Sequence, residues 1–153
     1  MKNGFLLALV SVFILNAVSC TEPKKTNPND EKWSLVWEDD FKGEQIDTTK
    51  WAKIPRGKSD WNNYMSDYDE LYVVRDDNLV LRGIQNTVLA NDTAPFLTGG
   101  VYTKGKKTFG FGRLEIKAKL NPAKGAWPAF WMLPEEGKWP DDGEIDIMER
   151  LSH

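Results

Sequence analysis

Cysteine is almost missing: Cys20 is the only one among 153 residues. No disulfide can therefore form within the chain, and a Cys20 used at the end of an N-terminal signal takes no part in catalysis. Histidine is as scarce, limited to His153 at the last position, which leaves a Ser-His-Asp triad without a base inside these residues. There is no excess of basic charge. The formal net charge is −3, so no positive field points to nucleic acid or an anionic membrane surface. No apolar run reaches the roughly 20 residues that span a bilayer. No stretch of helical length carries a 3.6-residue period, and no internal repeat is visible.

The first residues carry a different signal. Met1-Lys2-Asn3 supplies a positive start, and Phe5 to Val18 is apolar apart from Ser11 and Asn16. That pattern fits a secretory signal peptide over residues 1–20. Its end, Ala17-Val18-Ser19-Cys20, resembles a bacterial lipoprotein signal in which the cysteine becomes the lipidated first residue after cleavage. Ala17 stands where Leu is commoner in such signals; ordinary cleavage and a free thiol is the alternative. Residues 21–32 (TEPKKTNPNDEK) hold two prolines and no large apolar side chain. They read as a solvated tether, because such a segment cannot bury a core.

From Trp33 onward the period is that of strands. Trp33, Leu35 and Trp37 alternate with Ser34 and Val36. Leu71–Val74 and Asn78–Arg82 flank Arg75-Asp76-Asp77, which predicts a hairpin. A strand is expected to start at Gly99–Thr103 and others at Phe109–Gly112, Trp127–Leu133 and Glu144–Met148. Leu114 to Leu120 alternates strictly, which predicts a half-buried antiparallel strand. Several short strands separated by turns argue for an all-β sandwich or jelly roll over residues 33–153. Seven tryptophans and twelve glycines suit such a protein handling a flat ligand, although core packing accounts for the tryptophans equally well.

Three carboxylates, Glu144, Asp146 and Glu149, lie close together. Residues two apart share a face, so Glu144 and Asp146 point the same way about 6–7 Å apart. Glu149 is five positions from Glu144 and would face the other side of a regular strand. One extra residue in a β-bulge, Ile147 or Met148, restores the phase and brings all three into one cleft. The apolar residues between them are then expected to turn into the core. Retaining glycosidases use two carboxyl groups, one as nucleophile and one as acid/base. Like charges roughly 6 Å apart repel by about 3 kcal/mol at an effective dielectric near 20, which favours keeping one member of such a set protonated. Solvated acidic residues on a strand are the plain alternative. A calcium loop is another, because Asp142-Gly143 and Glu149 mimic the back of an EF-hand, but Lys138 and Pro140 occupy its first ligand positions.

Trp127, Trp131 and Trp139 lie just upstream, and Trp127 and Trp131 share a face on an undistorted strand. Indoles offer flat, rigid surfaces to the C–H faces of sugars together with one N–H donor. In this setting the residues resemble family 16 of the glycoside hydrolases, the laminarinase-like β-glucanases. Gly143-Glu144-Ile145-Asp146-Ile147-Met148-Glu149 is similar to that family's signature in its bulged form, and Gly125-Ala126-Trp127-Pro128-Ala129-Phe130-Trp131-Met132-Leu133-Pro134 to its cleft strand. Trp37-Glu38-Asp39-Asp40-Phe41 and Gly110 to Leu120 add looser matches.

The resemblance implies a β-jelly-roll sandwich of two curved antiparallel sheets (concanavalin A-like), with a glycan cleft on the concave face. It makes Glu144 the nucleophile, Asp146 its assisting carboxylate and Glu149 the general acid/base. Trp127, Trp131 and Trp139 would line sugar subsites, and Asn62, Asn63 and Tyr64, chiefly Asn63, would belong to an outer cleft loop. No cofactor is required; a structural calcium ion is compatible with the family, with no ligands assigned. The expected activity is retaining endo-hydrolysis of β-1,3- or mixed β-1,3/1,4-glucan, with another glycan (galactan, xyloglucan) or non-catalytic glucan binding as alternatives. The expected partner is a β-glucan polysaccharide or oligosaccharide, not nucleic acid, with a monomer touching the membrane only through the lipid on Cys20, at the bacterial outer membrane or cell surface. Domains of the family are longer than this chain. The sandwich is therefore expected to be incomplete at the C-terminus, and these residues alone to fold poorly and lack activity.

Overall fold

The computed structural model describes residues 33–151 apart from Pro122. The expected signal peptide at 1–20, the lipidation site Cys20 and the tether at 21–32 lie outside the described residues. Two units divide the chain, Met1–Ser34 and Leu35–His153, and every described strand lies in the second.

Short strands follow one another in antiparallel pairs, as an all-β chain with frequent turns requires. In order they are β1 (Ala52–Lys53), a 3-10 turn (Asp69–Leu71), β2 (Tyr72–Arg75), β3 (Asn78–Leu81), β4 (Gly83–Gln85), β5 (Phe96–Thr98), β6 (Val101–Tyr102), β7 (Ala129–Met132) and β8 (Ile145–Glu149). The pairs are β1–β6, β2–β3, β4–β5 and β7–β8. The β2–β3 hairpin matches its sequence pattern. Asp76 and Asp77 both take positive φ, 51° and 55°, the geometry whose twist suits a two-residue connection, and Asp tolerates it better than most residues.

The core sits under these first strands. Leu71 and Leu97 are fully buried and Tyr72 nearly so, with Ile46, Ile84, Leu89 and Val101 packed against them. Complete burial of a leucine contributes roughly 1.5–3 kcal/mol. The phenol of Tyr72 is satisfied inside this core: its hydroxyl donates to Ser66 O at 2.7 Å and accepts from Gly100 N at 3.4 Å. Chain crossing is tight here. A Cβ at Gly99 would lie 2.7 Å from Leu71 O, so a side chain at that position would force the two backbones apart.

Three expected strands do not form among the described residues; one of them, Phe109–Gly112, is a bend that finds no partner strand. Leu35–Phe41 makes no strand pairing; Trp37 instead packs edge-on against Trp51 at 5.3 Å and Phe109 at 5.5 Å. Asp39 ties the segment down, accepting from Trp51 Nε1 at 2.7 Å and from Phe41 N at 2.9 Å. The alternating segment Leu114–Leu120 is likewise unpaired, and Leu114 and Ile116 are each 45% exposed. Alternation specifies which side of a strand is apolar, but the ladder needs a neighbouring backbone, and none of the described residues supplies one.

Candidate active site

The hairpin of β7 and β8 carries the acidic run. Its register is Ala129↔Glu149, Phe130↔Met148, Trp131↔Asp146 and Met132↔Ile145, with a shift between Phe130 and Trp131. Ile147 is thus the residue without a partner: a bulge of one residue on β8. Cross-strand partners point to one side of an antiparallel pair. Ala129 and Trp131 are two apart on β7 and share a side, so their partners Glu149 and Asp146 share it too. Continuing the alternation one step before β8 puts Glu144 with them.

Hydrogen bonds agree with that count. Trp127 Nε1 donates to Glu149 Oε1 at 3.0 Å, and Trp139 Nε1 donates to Glu144 Oε2 at 2.7 Å. Each of the two glutamates is therefore held by an indole from its own hairpin. Trp139 belongs to the connection between β7 and β8, which Asp142 braces: its Oδ2 accepts from Lys138 N at 2.6 Å, and its own N–H reaches Lys138 O at 3.0 Å. The Asp142 carboxylate serves the loop. A cavity of about 210 Å³ lies beside Glu144, with Phe109, Met132, Pro134 and Ile145 in its wall.

The reverse side of the hairpin departs from expectation. Ile145 is 63% and Ile147 43% exposed; they do not turn into a core, because no second sheet packs on them among the described residues.

Trp131 meets a residue that sequence reasoning did not single out. Trp61 stands edge-on to it with ring centroids 5.0 Å apart and planes at 79°, a contact worth roughly 0.5–1.5 kcal/mol beyond its buried area. Its one sequence signal was its place directly before Asn62-Asn63. Of that loop, Asn62 is structural: its Oδ1 accepts from Ser59 N at 3.1 Å. Tyr64 packs against Phe96 at 6.0 Å. Asn63 differs, for its buried Oδ1 has no hydrogen-bond partner, an acceptor that a bound hydroxyl or water would satisfy. Arg56 anchors the loop from behind. Its Nε donates to Met65 O at 2.8 Å and its two terminal nitrogens to the two oxygens of Asp92, each at 2.7 Å. That guanidinium, helped by Ala94 N–H, pulls the Asp92 carboxyl down to about 2.

Among the described residues, no group of three or more Asp, Glu, His or Cys side chains is gathered to hold a metal ion.

Residues 65–153 match the family described as XgeA-like, catalytic GH16 domain. The chain belongs to glycoside hydrolase family 16. A keratan-sulfate endo-1,4-beta-galactosidase of Sphingobacterium multivorum is 39% identical over 126 residues, 79% of this chain and 30% of that protein. Glucan endo-1,3-beta-glucosidase A1 of Niallia circulans is 32% identical over 143 residues, 81% of this chain and 21% of that protein. The catalytic domain of an endo-1,3-beta-glucanase (laminarinase) from Thermotoga petrophila RKU-1 superposes with a TM-score of 0.69 at 36% identity, covering 79% of this chain and 52% of that domain. The family 16 chain thus spans about half of that domain and less than a third of the two longer relatives. Its carboxylate face lies inside the matched segment.

Proposed function

We propose that the protein carrying this chain is a retaining endo-hydrolase of β-linked hexose polysaccharides, with β-1,3- or mixed β-1,3/1,4-glucan as substrate. The observation that carries the reading is the bulge at Ile147, which sets Glu149 on the same side as Asp146 and Glu144, with Trp131 across from Asp146 and Trp127 and Trp139 bonded to the two glutamates. Family membership supplies the reaction class. The fold proposed for the whole protein is the jelly-roll sandwich, with this side of β7–β8 facing the glycan cleft.

In the first step a carboxylate oxygen of Glu144 bonds to the anomeric carbon while the glycosidic C–O bond breaks. The proton of Glu149 passes to the departing oxygen. In the second step water attacks the same carbon, Glu149 takes its proton, and the glycosyl ester on Glu144 is released, restoring the starting configuration. Asp146, between them on the strand, orients the nucleophile. Trp127, Trp131 and Trp139 offer faces to the sugar rings, and Asn63 an acceptor for a hydroxyl. No cofactor takes part. The N-terminal signal exports the protein as a monomer, and a lipid on Cys20 holds it at the bacterial outer membrane or cell surface.

Glu144→Gln in the complete gene product is the test. Turnover is expected to fall at least roughly a thousandfold, while oligosaccharide binding by calorimetry stays within about threefold. A mutant that keeps most of its activity removes Glu144 as nucleophile. A second reading, a β-galactan backbone, is favoured by the 39% identity to the keratan-sulfate enzyme. Reducing-end release from a panel of glucans and galactans decides between the two, and retention on insoluble glucan without release would mark a binding protein.

A further inference from the structure

An indole N–H has one hydrogen to give and no lone pair, so it donates best to the carboxyl oxygen that carries no proton. The two indole bonds at the site therefore hold one oxygen of each glutamate in place: Oε2 of Glu144 and Oε1 of Glu149. What remains free for chemistry is Oε1 of Glu144 and Oε2 of Glu149. The donors come from two places on one hairpin. Trp127 lies two residues before β7, whose first residue pairs with Glu149, and Trp139 sits in the connection braced by Asp142.

We propose that Trp139 and Trp127 are positioning residues, each using its indole N–H to select which oxygen of its glutamate reacts. The assignment rests on the hydrolase reading and adds to the sugar-lining role of the same rings. Trp139 is 68% exposed, so its N–H edge holds Glu144 while a ring face stays open to a sugar. A carboxyl group left to rotate would present either oxygen. With the indoles in place, Oε1 of Glu144 forms the bond to the anomeric carbon as the glycosidic bond breaks. Oε2 of Glu149 delivers its proton to the leaving oxygen, then takes one from the water that displaces Oε1 of Glu144. Hydrogen bonds to charged groups of this kind contribute roughly 1.5–3 kcal/mol, so losing one is expected to slow the reaction about 10- to 150-fold.

The experiment replaces Trp139, and separately Trp127, with benzothienylalanine in the complete gene product. Sulfur then stands where N–H was, and the ring keeps its size and stacking surface. The expected result is a fall in kcat within that range, with KM changed less than about twofold and the thermal midpoint unchanged. In parallel, the indole ¹H–¹⁵N resonance of Trp139 is expected to shift in Glu144→Ala. A raised KM with unaltered kcat would make the rings sugar platforms alone. An analogue as fast as wild type, or a Trp139 resonance indifferent to Glu144, overturns positioning while leaving the hydrolase reading intact. Absence of turnover by the wild-type protein on every glycan overturns both.

Discussion

Arg56 and Asp92 show how far one pair of side chains reaches into this molecule. The guanidinium spans the loop that carries Trp61 and Asn63 and the loop between β4 and β5, through Met65 O and both oxygens of Asp92. Because the Asp92 carboxyl is lowered from 3.8 to about 2 in the folded chain, the sign of its pH effect is fixed. Its stabilising contribution is complete above the unfolded value and fades as pH falls toward the folded one. The difference in Tm between wild type and Asp92→Asn is therefore expected to be largest above pH 5 and to shrink steadily down to about pH 2. Thermal melts across that range check it, and a difference that stays constant would remove the ion pair as its source. Trp61 is a plainer case of a residue hidden from sequence reasoning. Its partner Trp131 lies far along the chain, and no local spacing links the two rings that meet edge to face.

The β7–β8 hairpin turns a counting argument into a mechanism. A strand alternates with period two, so Glu149 reaches the side of Glu144 only because Ile147 drops out of the register. Deleting Ile147 should therefore do little harm. Glu149 then stands four positions from Glu144, and plain alternation puts both on one side without a bulge. Activity of the deletion is expected to stay within about tenfold of wild type, whereas inserting one alanine after Ile147 reverses the phase and removes the acid/base, a loss of roughly 10²- to 10⁴-fold. Initial rates on the best glycan of the panel measure both. Comparable rates for the two variants would mean that register does not position Glu149. The unpaired segment Leu114–Leu120 makes the complementary point: its alternation was legible, but pairing depends on a second backbone that alternation does not name.

For the protein as a whole, the strand pairs and the core around Leu71, Tyr72 and Leu97 form an all-β framework, and the matched family places the acidic hairpin within a catalytic domain. Location is a separate matter, and the proposed export and anchor rest on residues 1–20. If Cys20 is lipidated, wild-type protein expressed in a bacterium with the lipoprotein machinery incorporates labelled palmitate and fractionates with membranes. Cys20→Ser then loses both properties. Label retained by the variant would dismiss the anchor. The export reading stands on its own composition, since a positive start and a short apolar run are local features that need no fold to be recognised.

Local chemistry was written in the order of residues: the carboxylate spacing, the need for one bulge residue, the Asp76-Asp77 turn and the family signature all depend on near neighbours and on fixed backbone periods. Distance along the chain hid the rest. Which of Ile147 and Met148 leaves the ladder, which oxygen each indole holds, that Trp61 abuts Trp131, and that Asp39 serves Trp51 are settled when segments far apart in sequence pack together. Each such contact is one choice among many of similar local energy, so it is made by packing and hydrogen-bond satisfaction across the folded chain and not by any short stretch of it.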